Sequence, residues 1–146
     1  MFEHIVIATD GSPASEHAAQ LAVGLARTHG AKLTAVYVVD PYPYLGMGEI
    51  NPMGFQSYMS AAQAQASQAH AYVDTLCKQG DHPVALEVRL VEEVGVASGI
   101  VQTAQALGAD LIVLGSHGRS GIARLMLGSV STKVVAESKV PVLVTR

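Results

Sequence analysis

Charge is scarce in this chain: only 14% of its 146 residues are Asp, Glu, Lys or Arg, and the formal net charge is −3. Proteins whose main partner is nucleic acid or an anionic membrane surface are usually basic, so neither partner is expected. Cysteine is nearly absent. Cys77 alone can form no internal disulfide, which suits a reducing compartment, and its expected role is that of a buried spectator thiol. No run approaches the ~18 continuous apolar residues of a membrane helix, and the first residues enter an apolar run without a basic region and cleavage site. A soluble, cytoplasmic protein is therefore expected. The histidines His4, His17, His29, His70, His82 and His117 show no metal-ligand spacing with Cys77 or acids, so no structural metal site is predicted. A P-loop, the dinucleotide fingerprint after the first strand and a Gly-x-Ser-x-Gly elbow are all missing.

What is abundant is apolar sequence, 49% of the chain, arranged in short continuous runs. Such runs suit the strands of a parallel sheet covered on both faces, and the length suits one domain spanning residues 1–146. The first run covers residues 5–9 and closes on Asp10-Gly11-Ser12-Pro13. Ser12 is a good N-cap and Pro13 fits the first helical position, where its missing N–H is not needed. Ala18, Leu21, Ala22, Leu25 and Ala26 then form a helical stripe that Gly30 can stop. A second strand is predicted at 33–39, with a helical stripe of Ala62, Ala66, Ala69, Val73 and Leu76. Between them, residues 41–57 are rich in proline, glycine and aromatics, too long for an ordinary βα connection. A third strand at 84–91, a helix carrying Ala97, Ile100, Val101, Ala104 and Leu107, a fourth strand at 110–115, a helix at 129–138 and a fifth strand at 141–145 complete the pattern. Strands alternating with helices predict a doubly wound α/β sandwich with a mostly parallel sheet. Ligands of such sheets sit beyond the carboxyl ends of the strands, where the winding reverses.

The segment following the fourth strand carries the strongest chemical signal. Gly115-Ser116-His117-Gly118 is followed after nine residues by Gly128-Ser129-Val130-Ser131 at a helix start. Glycines let another group approach the main chain closely, and free N–H groups at a helix start favour phosphate oxygens, with two serine hydroxyls as further donors. The same segment onward is basic: Arg119, Arg124, Lys133, Lys139 and Arg146 stand against one acid, Glu137. Turn and cap duty is the alternative role for any one of these glycines and serines.

These residues resemble the universal stress protein family, in its ATP-binding type. Gly115, Gly118, Gly128 and Ser129 match that family's spacing of Gly, two residues, Gly, nine residues, Gly and Ser or Thr. Residues 5–12, 36–40, 109–119 and 140–144 resemble its first, second, fourth and last strands in order. The resemblance implies a Rossmann-like sheet of order 3-2-1-4-5 and a site for ATP with Mg2+. Ala8, Thr9, Asp10, Val38, Leu114, Gly115, His117, Gly118, Arg119, Gly128, Ser129, Val130 and Ser131 are its implied lining. In that site Asp10 would accept from ribose hydroxyls, the Val38 main chain would meet the adenine edge, and Gly115, His117, Gly118 and Gly128 to Ser131 would surround the phosphates. Arg119 would neighbour the triphosphate or lie at the surface. For Asp10 the alternative is a carboxylate that stabilises a helix start. The resemblance also implies a homodimer through the terminal strand at 140–145, and a binding module in stress response rather than an enzyme. A nucleotide-independent dimeric interaction protein and a slow ATPase are the alternatives. Residues 41–57 are expected to form a lid over the nucleotide, or else a partner-contacting or partly disordered loop. Opening at Gly95-Val96-Ala97-Ser98-Gly99, the third helix departs from the family, whose members more often carry acidic residues there.

Overall fold

The computed structural model describes residues 1–40, 52–92, 94–117 and 127–146. Its elements run β1 (His4–Ala8), α1 (Pro13–His29), β2 (Lys32–Val38), α2 (Pro52–Lys78), β3 (Leu86–Val91), α3 (Val96–Ala106), β4 (Leu111–Gly115), α4 (Ser129–Glu137) and β5 (Val142–Thr145). The strands form one parallel sheet in the order β3-β2-β1-β4-β5. β1 is thus flanked by β2 and β4, and the winding reverses at its carboxyl end.

Alternation along each strand divides the core in two. Ile5, Ile7, Leu33, Ala35, Leu111 and Val113 face α1 and α2, whereas Val6, Val36, Ile112 and Leu114 face α3 and α4. α1 meets the sheet through small residues, Ala18, Ala19, Ala22 and Ala26, all fully or nearly fully buried. It starts as its sequence predicts: the Ser15 N–H donates to Ser12 Oγ at 3.3 Å and Pro13 occupies the first turn. It ends at Gly30 in the left-handed conformation, with the Ala31 N–H donating to Ala26 O at 2.9 Å.

Two boundaries differ from the sequence prediction by more than one residue. α2 begins at Pro52, so residues 52–57, assigned above to the long insert, are helical. The proline, glycine and aromatics that suggested a loop are accommodated there because proline fits a first helical turn and because Tyr58 Oη donates to Asp40 O at 2.7 Å, tying α2 to the end of β2. The remainder of the expected lid, 41–51, lies outside the described residues. β3 starts at Leu86; Val84 is apolar because it packs into the core beneath α2, its N–H donating to Cys77 O at 3.0 Å. Cys77 is buried, and burial pushes its thiol above the usual range, so it is an inert core residue.

One buried and one half-buried histidine give the fold a pH dependence. His4, on β1, pairs Nε2 with Thr34 Oγ1 at 2.7 Å, and His70, on α2, meets Tyr37 edge-on with ring centroids 6.5 Å apart. Burial holds both below the ordinary 6.5, and the Lys32 charge lowers His4 further. A histidine pKa depressed by folding means that protonation favours the unfolded chain. The stability contribution is complete above the unfolded value and is lost as pH falls toward the folded one. Thermal melts between about pH 7.5 and 5 are expected to show Tm falling below about pH 6.5, before carboxylates titrate. A Tm constant down to pH 5 would contradict this.

Candidate functional site

A solvent-open cleft with about 510 Å3 of empty space lies at the carboxyl end of the sheet, where β1 and β4 part. Ala8, Thr9 and Asp10 come to it from the end of β1, Val36 and Val38 from β2, Leu114, Gly115 and His117 from β4 and its continuation, and Val130 and Ser131 from the first turn of α4. Ser15 on α1 and Val96 and Ile100 on α3 complete the wall.

One side of this cleft is apolar. Val36 and Val38 stand two residues apart on one face of β2, and Val96 and Ile100 four apart on one face of α3. The two elements pack tightly because α3 carries Gly99 opposite Val38: a Cβ there would lie 3.0 Å from both Val38 methyl carbons. The main chain of Val38 adds polar character. Pairing of β1 with β2 ends at Ala8 and Val36, and the Thr9 N–H donates to Val36 O at 3.0 Å, so Val36 turns its main-chain groups toward β1. Val38 is two residues later and turns the same way, beyond the last paired residue of β1.

The β1–α1 turn forms a second side. Asp10 Oδ1 accepts from the Ser12 N–H at 2.8 Å, closing an Asx turn that leads into the Ser12 cap. The Ser15 hydroxyl donates to Ser12 O at 2.9 Å and lies 3.4 Å from Thr9 Oγ1. The helix-start role considered for Asp10 is therefore present. A carboxylate accepts about four hydrogen bonds in all, so this role leaves room for others.

The third side joins β4 to α4. Ser131, 2% exposed, donates its hydroxyl to Gly115 O at 2.9 Å and Ser116 O at 3.0 Å. This corrects the expectation of a free hydroxyl donor: the Ser131 proton is committed to main-chain carbonyls, and the residue works as a clamp. Gly115 and Gly128 are likewise required by the protein's own backbone. A Cβ on Gly115 would lie 2.9 Å from Ala14 C and Cβ, and one on Gly128 would lie 2.9 Å from Ser116 O. The Gly128 N–H donates to that same oxygen at 2.7 Å. α4 then begins with no side-chain cap on its first turn among the described residues. Its leading N–H groups have no intrahelical acceptor, and Val130 and Ser131 bring that turn to the cleft wall. Beside it, Ser116 Oγ lies 3.0 Å from His117 Nδ1, while His117 Nε2 is buried with no partner among the described residues. When the Ser116 hydroxyl donates to Nδ1 of the neutral ring, the ring proton resides on Nε2, a donor with no acceptor among the described residues.

Of the residues expected from the sequence, Ala8, Thr9, Asp10, Val38, Leu114, Gly115, His117, Val130 and Ser131 meet around this cleft. Gly128 and Ser129 stand behind it at the α4 start, Ser129 exposed and not in the wall. Gly118 and Arg119 lie outside the described residues. The sequence reading missed Ser15, Val36, Val96 and Ile100. The i, i+4 spacing of Val96 and Ile100 and the alternation of Val36 with Val38 were the available signals, but both also describe ordinary core. No group of three or more His, Cys, Asp or Glu able to hold a metal exists among the described residues. No helix among them is long and apolar enough to cross a membrane.

Comparison with known proteins places this geometry. The model of the universal stress protein family matches residues 1–146. A universal stress protein of Thermus aquaticus is 37% identical over the full length of both chains. Among solved structures, universal stress protein UspA from Lactobacillus plantarum superposes with a TM-score of 0.80 at 28% identity, covering 99% of this chain and 97% of its own. A universal stress protein in complex with cAMP superposes with a TM-score of 0.70 at 26% identity, with the same coverage.

Proposed function

Since this chain belongs to the universal stress protein family, we propose that its cleft holds ATP, with Mg2+ on the triphosphate, and that nucleotide occupancy sets the behaviour of a dimeric module in stress response or signalling. The observation that carries this reading is the convergence, at one cleft, of an apolar slot, a helix start with no side-chain cap among the described residues and a buried ring nitrogen with no partner among them. A flat heteroaromatic base suits the slot between Val36, Val38, Val96 and Ile100, with the Val38 main chain at its polar edge. Asp10 accepts from ribose hydroxyls while keeping its bond to the Ser12 N–H. The α4 start and His117 Nε2 donate to phosphate oxygens.

When bound, the triphosphate supplies a compact polyanion that bridges the β4 and α4 sides. Mg2+ would be carried mainly by phosphate oxygens and water, with Asp10 the one carboxylate of the wall among the described residues. That donor set suits binding better than turnover, since phosphoryl transfer needs positioned metal ligands and a group that orients the nucleophile. The related protein in complex with cAMP supports an adenine nucleotide as the ligand class. Dimerisation through residues 140–145 is part of this proposal; among the described residues β5 is an edge strand paired with β4.

Mass spectrometry of the small molecule released when the purified protein is denatured tests the reading. Release of ATP in near-stoichiometric amount is the expected result. Protein that releases no nucleotide, and binds none on titration with MgATP, would leave the cleft without this function.

A further inference from the structure

The other edge of the sheet, β3, carries an arrangement that the nucleotide site does not use. Natural edge strands are usually blunted with proline, charged side chains (lysine above all), a bulge or a cover. β3 reads Leu86-Glu87-Val88-Arg89-Leu90-Val91, with no proline or lysine and with its two opposite charges, Glu87 and Arg89, paired to each other, and it pairs residue for residue with β2 from Leu33↔Leu86 to Val38↔Val91, without a bulge. It is also poorly covered: Val88 is 48% exposed and Leu90 40%.

Main-chain directions along β3 follow from its bonds to β2. The Leu33 N–H donates to Ala85 O at 2.9 Å and the Val39 N–H to Val91 O at 2.8 Å. Odd-numbered residues therefore turn their main-chain groups toward β2, and Leu86, Val88 and Leu90 turn theirs outward. An antiparallel partner strand must set outward-turned residues opposite one another. For two copies of β3 related by a two-fold axis, this condition is met by an axis through any residue from Leu86 to Leu90.

Side-chain charge selects among these. An axis at Val88 sets Glu87 opposite the partner's Arg89 and Arg89 opposite the partner's Glu87, and on the other face Leu86 opposite the partner's Leu90. An axis at Glu87 or at Arg89 would set that residue opposite its own like-charged copy, one at Leu90 would set Arg89 opposite the partner's Val91, and one at Leu86 would pair Glu87 with the partner's Ala85. Glu87 and Arg89 already share one face, with Arg89 Nε donating to Glu87 Oε1 at 2.6 Å, and both are half exposed. The dimer would join two such pairs into an alternating quartet. We propose that β3 is a second self-association edge, on which another copy of this chain pairs antiparallel about Val88 to extend the sheet across the dyad. This interface lies at the sheet edge opposite β5 and is independent of what the cleft holds.

Sedimentation velocity on the full chain carrying Val142→Lys and Val144→Lys, which charges the β5 edge, isolates the β3 contact. Concentration-dependent dimers are expected to persist in that chain. Adding Arg89→Glu or Glu87→Arg, which sets like charges opposite each other, should weaken dimerisation roughly tenfold or more, and adding both should restore it. A monomer at all concentrations, or a dimer indifferent to these charge changes, overturns the proposal. Should the lysine variants fail to fold, Val88→Cys in the otherwise unaltered chain provides a second reading. Directly opposed hydrogen-bonded residues have Cα atoms about 5.5 Å apart, within disulfide reach, and Cys77 is buried. Mild oxidant should trap a covalent dimer whose yield drops when Arg89→Glu is added. Equal trapping with and without that change would overturn the pairing.

Discussion

Replacing Gly115 with valine is expected to destabilise the protein by about 3 kcal/mol or more and to lower Tm by roughly 10 °C. The reason lies in α1 rather than in any ligand. Gly115 closes β4, and the first turn of α1 crosses over it so closely that a Cβ would sit 2.9 Å from Ala14 C and Cβ and 3.0 Å from its carbonyl oxygen. Carbon atoms in good contact lie about 3.5–4.0 Å apart, so the helix start must lift or tilt. It has little freedom to do so, because Ala18, Ala19, Ala22 and Ala26 hold α1 flush against the sheet. Lifting it would also displace the Asp10–Ser12 turn and the Ser15 side of the cleft, so nucleotide binding should be lost along with stability. Gly115→Ala should show a smaller effect in the same direction. Adding Ala14→Gly should recover only part of it, since the clash with the Ala14 main chain remains. Urea unfolding measures all of these, and wild-type stability in Gly115→Ala would refute the close approach.

Ser129→Glu is expected to move stability and affinity in opposite directions. Ser129 is the first residue of α4 and is exposed, so a longer side chain meets no packing. A carboxylate at a helix start stabilises by about 0.3–1 kcal/mol through the helix dipole. In the proposed phosphate site the same negative charge opposes the triphosphate: one unit pair at 4 Å is worth about 4 kcal/mol at an effective dielectric near 20, and less at the greater distance of a residue outside the wall and with salt. ATP affinity should fall roughly a hundredfold, while affinity for adenosine, which has no phosphate, should stay unchanged. Calorimetric titration with both ligands, alongside a thermal melt, reads the three quantities together. Unaltered ATP affinity with a raised Tm would mean that the α4 start is a structural cap only and would remove it from the phosphate site.

The comparison of sequence and structure is most instructive at the residues where one residue type serves two roles. Gly115 and Gly128 were legible as positions where something approaches the main chain. The approaching groups proved to be Ala14 and Ser116 O, contributed by the chain itself. Ser131 was legible as a hydroxyl at a helix start, but its donor is spent on Gly115 O and Ser116 O. In each case local pattern revealed that a close contact exists and left its partner open, because the partner is many residues away. The start of α2 shows the converse. Residues 52–57 have the composition of a loop, and the Tyr58 bond to Asp40 O is among the long-range contacts that hold the adjoining helix in place.

By itself, the sequence determined the alternation of strands and helices, the Ser12-Pro13 start of α1, the apolar faces and the segments at the carboxyl end of the sheet. These are readable because side-chain period, capping and turn chemistry act over four residues or fewer. The tertiary structure alone decided that Ser15, Val36, Val96 and Ile100 close one cleft with Asp10 and His117, and that β3 leaves Val88 and Leu90 uncovered. Those outcomes depend on which strand lies beside which, and on how near α1 and α3 approach the sheet. Only packing between distant segments fixes either.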